Sequence, residues 1–250
     1  MKKEVKELKR IARKNITGHY KDLIRTFIFC NVIVSLIELP FSMMTNNTSF
    51  STQNIIYYVA CILIGIASVI LTAGQYRIHL KLARTGEMHL SELFIPLKYH
   101  SNRFLLTEFL LFGLSLVCML PIFAGIAMII VYKTTTVYII TFILGIISFV
   151  LATYLSLCFD LVYFVMNDIE ELDLLSALKY TKKLVHTHKG RYLYMQLSFL
   201  GMILLSGLSL GIGFLWVQPY MVQTTTLFYL DVRGELKDIT PEPVAFDQYI

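Results

Sequence analysis

Apolar residues in this chain do not alternate with polar ones, as they would on half-buried strands. They run together in blocks. Six blocks stand out, at 23–44, 55–74, 104–132, 137–166, 192–211 and 214–230. A helix needs about 20 residues to cross the hydrocarbon core of a bilayer. The block 55–74 meets that length with no charged side chain. The block 214–230 is the most diluted, by Gln218, Pro219, Gln223 and Thr224-Thr225-Thr226. In lipid every backbone polar group must be satisfied within its own segment, so each block predicts a helix. The expected fold is an all-α, polytopic membrane helix bundle of about six transmembrane helices, or five with a re-entrant segment.

Composition points the same way. Of 250 residues, 56% are hydrophobic and 16% charged, whereas a soluble domain carries about a quarter charged. The first block follows a long charged stretch, and no small-residue cleavage pattern comes after it, so it reads as a retained span and not a signal peptide. The chain reads as a single integral membrane domain. A basic amphipathic helix covers 1–22, the bundle covers 23–230, and a flexible acidic tail covers 231–250. Cys30, Cys61, Cys118 and Cys158 all lie inside blocks without metal-ligand spacing, and read as small apolar packing residues.

Charge adds orientation. Of the 22 lysines and arginines, all but Lys133 fall in the N-terminal segment, in alternate connections, or in the tail. With six spans, the positive-inside rule then places both termini in the cytoplasm. A basic amphipathic stretch precedes each odd-numbered span. Val5, Leu8, Ile11 and Ala12 form the first apolar stripe; Leu174, Leu178, Thr181 and Val185 form the last. Between them, 90–103 is interrupted by Pro96. These stretches read as interfacial helices in the headgroup layer, where apolar burial and attraction to anionic lipid add. Lys179, Lys182, Lys183, Lys189 and Arg191 are the candidate lipid-headgroup contacts.

Residues 168–231 carry the most specific pattern. Asp168 precedes Ser176-Ala177-Leu178 and Lys189-Gly190, then Leu197-Ser198-Phe199-Leu200-Gly201, Gly211-Ile212-Gly213, Leu215-Trp216, Pro219-Tyr220 and Phe228-Tyr229. This order resembles the bacterial integral membrane protein family catalogued as domain of unknown function 975. Leu120-Pro121-Ile122 stands where that family often has an Ile-Pro-Gly turn, and the first hundred residues agree in pattern only. The resemblance implies a bacterial cytoplasmic-membrane protein and no particular activity. Read without the family, Gly207-Leu208-Ser209-Leu210-Gly211 is a small-xxx-small face for close helix approach. Gly211–Tyr220 predicts a tight outward turn, with Pro219 in the first turn of the last span.

Ionisable side chains inside spans are costly and often functional. Glu38 lies near the outer end of the first span, two residues before Pro40. Glu108 lies about one turn into the third span and Asp160 about two turns from the inner end of the fourth, at similar depth. As a pair, or each with a cation such as Arg25 or Arg103, they could line a polar cavity; alternatively, pairing with interfacial cations fixes helix register. No Gly-rich phosphate loop, His-Glu-x-x-His helix or Gly-x-Ser-x-Gly elbow is present. His186 and His188 are spaced i, i+2, which points them to different helix faces. No cofactor, metal site or nucleic-acid partner is expected. Membrane lipids, with anionic headgroups, are the expected partners, and a protein partner or a second copy stays open. The function expected is non-enzymatic, the handling, sensing or transport of lipids or small solutes. The alternatives are an accessory subunit of an envelope export or immunity system, and a membrane-embedded enzyme working at the cytoplasmic interface.

Overall fold

The computed structural model describes residues 2–33, 39–40, 52–99 and 101–236. Glu38, most of the outer part of the first block, Asn46-Asn47-Thr48-Ser49 with its glycosylation sequons, and the tail beyond Leu236 lie outside the described residues. The chain is all-α. Among the described residues the helices are α1 (Val5–Ile16), α2 (Tyr20–Phe27), α3 (Thr52–Thr85), α4 (Ile95–Lys98), α5 (Ser101–Tyr132), α6 (Thr135–Phe159), α7 (Val162–Asp168), α8 (Leu174–His186), α9 (Lys189–Leu197), α10 (Leu200–Leu208) and α11 (Phe214–Arg233). A π-helical stretch, Ile28–Ile33, continues α2, and a 3₁₀ turn, Leu90–Phe94, precedes α4.

Among the described residues, three stretches are long and apolar enough to cross a membrane: Asn54–Thr85, Ser101–Tyr132 and Thr135–Asp168. Each exceeds 30 residues, which at about 1.5 Å per residue outreaches a hydrocarbon core of about 30 Å. The second block therefore ends later than expected. Arg77, Lys81 and Arg84, read as a connection, lie on the last turns of α3. The fourth block bends at Asp160, between α6 and α7. The fifth is broken at Ser198-Phe199 into α9 and α10, nine residues each. Neither half alone is long enough to cross a bilayer. The break turns the Phe199 ring into the core, edge-on to Tyr220 and under the Lys9 ammonium.

α11 is the axis of the packed region. It touches α1, α2, α3 and α10, and Gln223 through Asp231 are buried without interruption. Phe164 of α7 stacks on Tyr229, and Tyr192 of α9 lies 5.0 Å from Phe228. The threonines bond along their own helix: Thr224 Oγ1 donates to the Tyr220 carbonyl and Thr226 Oγ1 to that of Val222, both at 2.8 Å. The stripe of α1, Val5, Leu8, Ala12 and Ile16, is buried against this region. That differs from the expectation of a helix whose stripe faces lipid: α11 supplies a protein surface of the right length beside it. The stripe of α8 is likewise turned inward, toward α6 and α7.

α5 and α6 form an antiparallel hairpin joined to this core at one end, through Phe104, Thr107 and Cys158. Pro121 does not interrupt α5. The Ile122 N–H donates to Ser148 Oγ of α6 at 3.1 Å, satisfying a backbone donor beside the proline. Thr141 Oγ1 donates to the Gly125 carbonyl at 3.0 Å. Pro219 also lies within its helix, five residues after the start of α11 and not in its first turn. The turn before it spans 209–213, with Gly211 at φ +87°, the left-handed region glycine enters freely.

Candidate functional site

The site is set by Tyr163. Its ring lies between Tyr76 of α3 and Phe104 of α5, stacked on both, with centroids 5.6 and 5.9 Å away. Phe104 is one helical turn before Glu108, so the stack brings the Tyr163 hydroxyl level with that carboxylate. The hydroxyl donates to Glu108 Oε2 at 2.6 Å. Three residues before Tyr163, Asp160 occupies the joint between α6 and α7. Its Oδ2 accepts from the Tyr192 hydroxyl and, at 3.2 Å, from Gln196 Nε2. Gln196 also donates to the Tyr192 oxygen at 2.8 Å, which ties the two donors together. Tyr192 is fully buried, so its phenol is fixed by packing.

Glu108 and Asp160 line one cleft of about 320 Å³ between α3, α5, α6 and α7. Leu111, Phe112, Leu155 and Phe159 make its apolar walls, and Ser115 and Ser156 add hydroxyls. Neither carboxylate has an ion pair among the described residues. Arg25 is on Asp22 instead, at 3.0 Å, and the Arg103 guanidinium donates to the backbone carbonyls of Glu170 and Ile169. The two acids are thus held by neutral donors. A carboxylate can accept several hydrogen bonds, so the arrangement leaves acceptor capacity facing the cleft. What it can do chemically is accept hydrogen bonds or take up positive charge beside an apolar wall. Among the described residues no three His, Cys, Asp or Glu side chains gather as metal ligands would.

The five basic candidates are divided. Lys179, Lys182 and Lys183 are exposed on α8. Lys189 donates to the Tyr154 hydroxyl at 3.0 Å. Arg191 turns inward, its Nη2 2.6 Å from Asp231 Oδ2. Sequence reasoning missed Tyr76, Tyr163, Tyr192 and Gln196. The available signal was the i, i+3 spacing of Asp160 and Tyr163. It missed also a cluster at the end of α3, where Asp168 accepts from Arg84 at 2.7 Å, from Tyr229 at 2.7 Å and from Arg233. Beside it Glu92, on the 3₁₀ turn, accepts from Arg77 at 2.9 Å and Lys81 at 2.7 Å. Desolvation pushes the Glu92 carboxyl up, but these two cations outweigh it and hold it below the ordinary carboxylate value. His79 is buried against α11 with Nδ1 2.7 Å from Gln223 Oε1.

The chain belongs to the family described as "Protein of unknown function (DUF975)", whose profile matches residues 1–235. No curated protein and no solved structure matches it.

Proposed function

We propose that this membrane protein is a non-enzymatic binder of a small amphiphile, which it holds in the Glu108–Asp160 cleft. The observation that carries the reading is the pair of carboxylates, contributed by neighbouring apolar helices, opening on one cleft without an ion pair among the described residues. A half-buried polar site with unspent acceptors favours a ligand bearing hydrogen-bond donors or positive charge. The apolar walls favour attached hydrocarbon. We place the protein in a bacterial cytoplasmic membrane with both termini inside, and the cleft near the inner leaflet. The exposed lysines of α8 then face anionic headgroups. Purification in mild detergent, followed by mass spectrometry of extracted lipid, tests the binding. One amphiphile class should be enriched over the whole-membrane extract and depleted from Glu108→Gln/Asp160→Asn. Identical lipid in both preparations, matching the bulk extract, would refute it. Single cysteines at Ser49 and Ser101, in a cysteine-free variant, test the orientation. Ser49 should react with an impermeant reagent on intact cells and Ser101 should not.

A further inference from the structure

Each carboxylate of the acidic cleft spends one oxygen within the protein. Glu108 Oε2 accepts from the Tyr163 hydroxyl, and Asp160 Oδ2 from Tyr192 and Gln196. Glu108 Oε1 and Asp160 Oδ1 accept no hydrogen bond among the described residues. A third oxygen joins these two. Tyr76 lines the same cleft, and its hydroxyl lies within electrostatic range of both carboxylates yet bonds to neither. The Tyr76 ring is stacked on Tyr163 and meets Phe164 edge-on, with centroids 4.6 Å apart, so packing fixes where the hydroxyl stands. Acceptors from α3, from α5 and from the α6–α7 joint therefore face one space of about 320 Å³.

The chemistry of these acceptors selects among head groups. A phosphate or carboxylate head is repelled by two carboxylates. A hydroxyl head can donate a hydrogen bond but leaves both charges uncompensated in an apolar surrounding, which is costly. A trimethylammonium head brings charge but no N–H, so the three oxygens gain no hydrogen bond. A primary ammonium brings one positive charge and three N–H donors, and its hydrogen bonds to carboxylates are of the charge-assisted kind. Phe112 of the cleft wall is 57% exposed, which leaves the hydrocarbon of such a ligand a way out to the bilayer.

We infer, on the basis of the binding proposed above, that the cleft takes an amphiphile with a primary ammonium head, held by Glu108, Asp160 and the Tyr76 hydroxyl. The test is equilibrium binding of three radiolabelled probes with the same chain, octylammonium, octyltrimethylammonium and octanol. It uses the full chain in neutral detergent at pH 7, where a primary amine is protonated, with protein-free micelles as the blank. Octylammonium should bind at least about tenfold more tightly than either other probe, the scale of one hydrogen bond to a charged group. Glu108→Gln or Asp160→Asn should remove most of that preference, and Tyr76→Phe, which keeps the ring, should weaken octylammonium alone by about fivefold. Leu155→Trp fills the cleft and should abolish binding of every probe. The probe series needs no variant, so a poorly folded variant does not decide the outcome. If octyltrimethylammonium or octanol binds as tightly as octylammonium, and Leu155→Trp still abolishes binding, the ammonium head is overturned and the amphiphile cleft stands. If no probe binds above the blank, or Leu155→Trp leaves binding intact, both are overturned.

Discussion

Helix α11 and the α5–α6 hairpin reverse the arrangement familiar from soluble proteins. α11 carries Gln223, three consecutive threonines and Asp231, and all of them are buried. The hairpin is almost wholly apolar, yet Phe109, Phe142 and Phe149 are more than 70% exposed. Only 6% and 11% of the most apolar stretches of α5 and of α6–α7 are buried in the protein. The difference follows from the solvent. Lipid tails are as apolar as leucine, so burying a hairpin side chain in protein gains little over leaving it in the bilayer. Polar side chains gain far more by turning inward, where hydroxyls can bond carbonyls and amides can bond each other. The enclosed helix is therefore the polar one.

The largest effect should separate the two regions by aromatic truncation. Phe228→Ala removes a fully buried ring packed on Tyr192 and under Arg191. It should cost about 3–5 kcal/mol, as buried Phe-to-Ala changes do. Phe142→Ala removes a ring that meets lipid or detergent in both folded and unfolded chains, and should change stability by less than about 0.5 kcal/mol. Thermal unfolding in one detergent checks both. Similar midpoints for the two variants would erase the distinction.

The same contrast explains what the sequence could and could not reveal. The hairpin was legible because 104–132 and 137–166 are apolar all round, and length alone then gives the helices, found at Ser101–Tyr132 and Thr135–Phe159. α11 read as a diluted span because Gln223 and the threonines lower its apolar content. That dilution marks a helix surrounded by protein. The break at Ser198-Phe199 was hidden because no proline or charge marks it; burial of the Phe199 ring, a tertiary event, accounts for it. The two carboxylates stood out by their depth in apolar blocks. Their phenol and amide partners did not, because Tyr163, Tyr192 and Gln196 come together only through the packing of α5, α7 and α9.

Backbone approach sharpens the comparison next. A Cβ at Gly74 in α3 would stand 2.1 Å from the Leu93 carbonyl oxygen, and main-chain atoms cannot swing away. Gly74→Ala should cost about 3 kcal/mol by forcing the 3₁₀ turn off the helix. Gly113 of the hairpin has no neighbour within 4 Å of such a Cβ. Gly113→Ala should leave stability unchanged or raise it by up to about 1 kcal/mol through helix propensity. Melting curves of the two variants, shifted in opposite directions, are the expected result.

Ionic contacts should follow, with a smaller effect. Asp168→Asn removes the charge that Arg84 and Arg233 share, at a carboxylate only 7% exposed. The two arginines retain Glu235, so the loss should be about 2 kcal/mol, within the range for hydrogen bonds to charged groups. Lys133, at the far end of the hairpin, is exposed, and Lys133→Gln should stay within about 0.5 kcal/mol. Urea or thermal midpoints at low salt measure both.

The smallest effect is one of pH, and it isolates the packed region, because Glu92 joins the 3₁₀ turn to α3 and no hairpin group takes part. Its carboxyl is held below the ordinary value of 4.5 in the folded chain, where Lys81 and Arg77 favour the ionised form. The unfolded chain therefore binds a proton more readily, and the stability this contact contributes is complete above that ordinary value. It is lost as pH falls through the lowered folded value. The partners are 35% and 27% exposed, so screening holds the contribution to about 1 kcal/mol or less. Glu92→Gln cannot ionise, so its unfolding midpoint should fall less steeply than the native protein's between about pH 5 and pH 3, and the two curves should converge at the acid end. Parallel curves across that window would mean that the turn is held on α3 by packing at Gly74 and Leu93, and that the two cations contribute nothing measurable.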